Sequence, residues 1–178
     1  MNTSDESLAR AAAQGDAAAF STLLERCYDR LFALAFRLTG ARAEAEDLTQ
    51  DICASLPAKI AGFRGEAKFT TWLYRVVVNA AHDRRRRQAS LRKASEGWGS
   101  WEINRRSADA ETAEQVDWLL TAMARLPGDL RDTLALVLDD VTHAQAGEIL
   151  GVTEGTVSWR VSEAKKHLRQ MRAEEDAI

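Results

Sequence analysis

FRGEAKFTTWLYRVVVNAAHDRRRR, residues 63–87, decides how this chain is read. Phe69, Trp72, Leu73, Val76, Val77 and Ala80 recur at spacings of three and four, the period of a helix that buries one face. Thr71, Arg75, Asn79, His82 and Arg86 follow the same period on another face, and the segment ends in four consecutive arginines, Arg84, Arg85, Arg86 and Arg87. Guanidinium groups suit phosphate oxygens and a side-chain amide suits a base edge. A helix buried on one side and carrying Arg and Asn on the other therefore fits a nucleic acid. A solvated face whose arginines sit at the negative end of the helix dipole gives the same pattern. Taken alone, the segment fits both readings equally.

The distribution of charge adds to this. The 178 residues carry a net charge of −3, unevenly spread. Residues 61–93 hold nine Lys/Arg against two Asp/Glu, net +7, whereas residues 108–148 hold two against nine, net −7. Residues 149–172 return to net +3, with five against two. Two basic segments alternating with acidic ones suggest two nucleic-acid contacts on a body that otherwise repels phosphate. The hydrophobic share of 46% and charged share of 29% are those of an ordinary globular protein. No apolar run approaches the ~20 residues of a membrane span, and MNTSDESLAR lacks the basic-then-apolar pattern of a signal peptide. A cytoplasmic protein is expected. Cys27 and Cys53 have no CxxC spacing, and His82, His143 and His167 have no metal or triad spacing, so no metal and no cofactor is expected.

The periodicity is helical nearly throughout, and the expected class is all-α. Ser7–Gln14 reads as a short helix stopped by Gly15. Asp16 caps a helix running to about Thr39, with Phe20, Leu23, Leu24, Leu31, Leu34, Ala35 and Leu38 as its core stripe and Gly40 as its stop. A third helix spans about Arg42–Leu56, limited by Pro57. Residues 88–111 are rich in Ser, Gly and charge without a sustained period and read as a linker. Trp98 and Trp101 are unusual there, since exposed indoles generally dock on something.

Beyond the linker, Thr112–Arg125 and Asp129–Leu138 form two helices around Pro127. Thr142 and Gln145 fit a capping box that starts a helix at about His143, which Ile149 and Leu150 close. Gly151 permits a sharp turn, Thr153 caps the next helix, and Val157, Val161, Ala164 and Leu168 give that helix its buried side. A short helix, a glycine turn and a longer basic helix make a helix-turn-helix.

With both halves in view, the chain resembles a bacterial sigma factor of the extracytoplasmic-function (ECF) group over nearly all its length. Four motifs carry the resemblance: TGARAEAEDLTQDI (39–52), the opening segment (63–87), LPGDLR (126–131) and EILGVTEGTVSWR (148–160). Their order and spacing are strongly specific. The resemblance implies two small helical domains: a sigma region 2 bundle at 1–88 and a region 4 helix-turn-helix at 112–178, joined by a flexible linker at 89–111. It implies a protein that binds core RNA polymerase, directs it to a promoter subset and assists melting, while catalysing nothing.

Roles follow from the same resemblance. The helix holding AEDLTQD would dock on the clamp helices of the largest polymerase subunit through Glu44, Asp47, Leu48, Gln50 and Asp51, with Leu48 and Ile52 facing the core. The loop at 63–72 and the helix after it would recognise and open the −10 element. Asn79 would take a base edge, and Arg75 and Arg84–Arg87 would take phosphates, with Lys68, Thr71 and His82 on the same face. Phe69 and Trp72 lie on the apolar stripe and are read as core, which leaves Phe63 as the freer candidate for base stacking. At the −35 element the second helix of the helix-turn-helix would present Thr156, Ser158, Trp159, Arg160, Ser162, Glu163, Lys165 and Lys166. The family commonly has small or basic residues at 158 and 159 and Arg at 163, where this chain has Ser158, Trp159 and Glu163, which implies an unusual −35 sequence or weak binding there. An anti-sigma partner is also implied, and Trp98 and Trp101 are candidates for an added contact with it or with the polymerase. Two alternatives stand beside this reading. One is a sigma-like mimic that sequesters an anti-sigma factor, and the other is a stand-alone helix-turn-helix regulator.

Overall fold

The computed structural model describes residues 3–94 and 110–177; Trp98 and Trp101 lie outside them. Every regular element among the described residues is a helix: α1 (Asp5–Ala13), α2 (Ala17–Thr39), α3 (Arg42–Ile60), α4 (Phe69–Ala94), α5 (Ala110–Ala124), α6 (Gly128–Val137), α7 (His143–Leu150) and α8 (Glu154–Asp176).

The helix ends follow from side-chain caps. The Asp16 carboxylate accepts from the Ala18 and Ala19 N–H groups, both at 3.0 Å, and Gly40 ends α2 in the left-handed conformation at φ 74°. Helix α1 begins two residues before the sequence reading, because the Ser4 hydroxyl accepts from the Ser7 N–H at 3.2 Å and so acts as the cap. Helix α3 passes through Pro57 instead of stopping at Leu56. Proline removes one hydrogen bond to the preceding turn, yet Leu56 and Ile60, on either side of it, are both buried. Packing therefore holds the last turn.

The first four helices bury Leu23, Leu31, Leu34, Leu38, Leu48, Ile52, Phe69, Leu73 and Val77. On α4 the expected stripe divides: Phe69, Leu73 and Val77 are buried, while Trp72, Val76 and Ala80 are partly covered at its edge. Tyr74, Val78 and Ala81 are buried as well. Their burial makes α4 apolar over more of its circumference than one stripe, because it packs against α2 and α3 and also against α7.

In the second half, α6 contributes Leu130, Leu134 and Leu136, α7 contributes Ala146 and Ile149, and α8 contributes Val157, Val161 and Ala164. The capping box is present: Thr142 Oγ1 accepts from the Gln145 N–H at 3.2 Å, and Gln145 Oε1 accepts from the Thr142 N–H at 3.0 Å. Between α7 and α8, Gly151 adopts φ 68°. Gly147 on α7 sits so close to the following turn that an added Cβ would lie 2.7 Å from the Val152 carbonyl oxygen, a backbone atom that cannot swing away. Gly147→Ala is therefore expected to destabilise the chain by about 1–3 kcal/mol, as overpacking does. Thermal denaturation should show a lower Tm, and an unchanged Tm would mean that this turn yields.

The two halves share one apolar core. Helix α2 packs on α5 and α6, and α4 packs on α7. At Gly40 the halves pack tightly, and an added Cβ would come within 2.7 Å of Ala124 Cβ.

Candidate nucleic-acid interface

Asn79, Arg87 and Lys68 are exposed. Arg75, His82, Arg84, Arg85 and Arg86 are each held by an acid. Arg75 Nη2 donates to the Glu148 backbone oxygen at 3.1 Å and lies 3.5 Å from that residue's carboxylate. Arg84 reaches Asp47 at 3.1 Å and Asp51 at 3.4 Å. Arg85 makes a two-pronged contact with Asp132, at 2.8 Å to Oδ1 and 2.6 Å to Oδ2. His82 Nε2 lies 2.6 Å from Asp132 Oδ2, and Arg86 pairs with Asp83.

Asp132 is the buried centre of this arrangement, with a relative exposure of 2%. Burial pushes its carboxyl up, but the hydrogen bonds from His82 and Arg85 and the charge of Arg85 outweigh that, and the net pKa lies below the ordinary 3.8. A carboxyl that is more acidic when folded stabilises the fold above its unfolded pKa. That contribution is lost as pH falls through the lowered folded value. In acid titrations, the stability gap between the wild-type chain and Asp132→Asn should be fully open above pH 3.8 and close below it. A gap independent of pH would mean that Asp132 is not the charged partner described.

A second acid, Asp139, follows α6. Arg37 donates to it at 2.9 Å, and the Tyr74 hydroxyl donates to its other oxygen. Burial, then the bond to Asp139, raises the Tyr74 pKa far above its ordinary value.

On α3, Asp47, Gln50 and Asp51 are exposed and Glu44 is half-buried. Leu48, which the sequence reading placed both in the docking set and toward the core, is 1% exposed and belongs to the core alone. Two −10 candidates are corrected in the same way. Phe63 is buried, edge-on to Phe69 and Trp72 at centroid distances of 5.9 and 5.6 Å, so it anchors the loop and is not free to stack on a base. Thr71 is buried as well, since α4 is covered on more than one side.

On α8, Ser158, Trp159, Ser162, Lys165 and Lys166 are exposed, and Thr156, Arg160 and Glu163 are half-buried. Thr156 is engaged with the Thr153 cap through its N–H at 3.2 Å. Ser158 lies 2.9 Å from His143 Nδ1. Arg160 lies 3.5 Å from Asp129, and Glu163 lies 3.9 Å from Lys166. Trp159, at 60% exposure, presents a large apolar surface to whatever this helix meets.

Residues 23–91 match Sigma-70 region 2 and residues 117–168 match Sigma-70, region 4. The ECF RNA polymerase sigma factor SigM of Mycobacterium tuberculosis (strain ATCC 25618 / H37Rv) is 35% identical over 170 residues, covering 94% of this chain and 84% of that protein. This chain belongs to the ECF sigma factors. SigW of Bacillus subtilis (strain 168) is 28% identical, with 88% of this sigma factor and 90% of SigW aligned. Two solved structures share the fold. One is the sigma factor RpoE in complex with the anti-sigma factor NepR from Bartonella quintana, with TM-score 0.75, 24% identity and coverage of 86% of this chain and 96% of that one. The other is CnrH in complex with the cytosolic domain of CnrY, with TM-score 0.67, 22% identity and coverage of 95% and 97%.

In this sigma factor, reading from sequence missed Asp132, Asp139, Arg37 and Tyr74. For Asp132 and Asp139 the signal was the matched pair of segments at net +7 and net −7, which says that a basic helix has an acidic partner but not which residues meet. No helix among the described residues is long and apolar enough to cross a membrane. Both cysteines are free, and burial pushes Cys27 up to about 11, with Cys53 nearby adding to the shift. A thiol with that pKa holds almost no thiolate at neutral pH.

Proposed function

We propose a division of labour on this sigma factor in which α3 docks on polymerase, α4 opens the −10 element and α8 reads the −35 element. The observation that carries it is the exposed Asp47–Gln50–Asp51 face of α3, joined to the cationic face of α4 through Arg84. An acidic, amide-bearing face of this kind complements a basic helical partner, here the clamp helices of the largest polymerase subunit. On α4, Asn79 is the exposed amide for a base edge, and Arg75, Arg85, Arg86 and Arg87, with Lys68 just before the helix, supply charge for the strands. Melting requires no bond chemistry from the protein. It requires that an unstacked strand be held better than the duplex is. On α8, Ser158, Trp159 and Ser162 face the groove, with Lys165 and Lys166 toward phosphate. The solved relatives bound to anti-sigma factors support a partner of that kind here, and work with the polymerase places the chain in the cytoplasm.

Site-specific photo-crosslinking of the holoenzyme tests the division. A crosslinker replacing Gln50 is expected to capture the largest polymerase subunit, and one replacing Ser162 to capture upstream promoter DNA. Exchange of the two targets, or capture of DNA from position 50, would overturn it.

A further inference from the structure

We infer that Arg10 of α1 is a further contact to the strand opened at the −10 element, acting with Arg64 and Lys68 at the edge of the 61–68 loop. The inference rests on the assignment of α4 to that element. Arg10 lies outside the region 2 match, which begins at residue 23.

The loop is a rigid support. Phe63 anchors it, buried edge-on to Phe69 and Trp72. The Gly62 N–H donates to the Lys59 carbonyl at 3.0 Å, and the Phe63 N–H donates to the Ile60 carbonyl at 2.9 Å. Gly65 then turns the chain at φ 71°, a conformation that a side chain would strain. Arg10 lies against this turn: a Cβ added at Gly65 would sit 3.7 Å from Arg10 Nη1 and 4.0 Å from its Cδ. The guanidinium of α1 is therefore laid across the loop that leads into α4.

Charge decides what this arrangement does. Arg84 and Arg86 are neutralised by Asp47, Asp51 and Asp83, acids of α3 and α4 themselves. Arg10, Arg64 and Lys68 are exposed, and among the described residues no acid pairs with any of them. Glu66 is the single acid of the loop, so its edge stays cationic. An unpaired cation releases counterions when it takes a phosphate, whereas a paired one must first give up its acid. Arginine is also suited to hold a phosphate with two parallel N–H groups.

The spacing suits one continuous strand. Asn79 lies 11 residues after Lys68, about 16 Å along the helix. At the rise of ~3.4 Å per nucleotide of a DNA strand, about five nucleotides cover that distance. A strand that places a base edge at Asn79 can thus place a phosphate at Arg10.

The test uses the holoenzyme and a promoter recovered by run-off transcription, with its −10 segment held open by mismatches. Affinity is measured over a range of salt. Arg10→Gln should bind about fivefold more weakly and flatten the slope of log K against log salt by about 0.7, the value of one single-strand phosphate contact. Arg10→Gln/Arg64→Gln should flatten it by about 1.4. Arg10→Lys keeps the charge and should stay within about twofold of the wild-type affinity, with the wild-type slope. Affinity for core polymerase should be the same in all of them, since the docking face is on α3.

An unchanged slope in Arg10→Gln, an equal loss in Arg10→Lys, or a fall in polymerase affinity would each overturn the contact. The assignment of α4 fails by a different result, namely wild-type affinity for the same probe in Arg75→Ala/Asn79→Ala.

Discussion

Asp47→Lys/Asp51→Lys is expected to weaken binding to core polymerase by at least about 100-fold, since it turns two attractive contacts into repulsive ones. The two carboxylates lie one helical turn apart on α3 and are each 64% exposed. Their only structural duty among the described contacts is to pair with Arg84. An exposed pair of this kind contributes at most about 1 kcal/mol, so the variant should fold. Arg84→Ala removes the same pairs while leaving the acids in place and should retain polymerase. Affinity for core polymerase, measured by anisotropy of the labelled sigma factor, reads both variants. Unchanged affinity in the double lysine variant would refute the docking face.

Arg75→Ala/Asn79→Ala should have the opposite profile, with polymerase affinity spared and promoter opening reduced about tenfold to a hundredfold. An amide contact to a base edge is worth about 1–3 kcal/mol, and loss of a phosphate contact adds to it. Arg75 also pairs with Glu148, a half-exposed contact worth at most about 1 kcal/mol, so its removal should leave the fold intact. Permanganate footprinting measures the result directly. Thymines of the −10 region should remain unreactive in the variant holoenzyme, and wild-type reactivity would sink the assignment.

Much of the fold was legible because its signals are local. The Thr142–Gln145 capping box, the Asp16 cap and the Gly40 and Gly151 stops each act within one helical turn, and the structure shows all four. What failed depends on packing at a distance. Pro57 reads as a stop, yet buried Leu56 and Ile60 carry α3 past it. Phe63 reads as a free loop aromatic because nothing in its neighbourhood reveals that Phe69 and Trp72 fold back over it. Thr71 looks like a surface position until α4 is seen to be covered on more than one side.

The interface divides in the same way. The residue types that would touch DNA stand out by periodicity. Their intramolecular partners, 50 and 47 positions away for His82 and Arg85, do not. Segment charge showed that a complementary surface exists, and only the tertiary arrangement identifies Asp132 as its buried centre.

The most direct measurement is run-off transcription with purified core polymerase on sheared genomic DNA, with and without this chain. The account predicts discrete new transcripts whose start sites share upstream elements, with Asp47→Lys/Asp51→Lys abolishing them. An absence of new transcripts, from a chain that does not co-elute with polymerase, would contradict it.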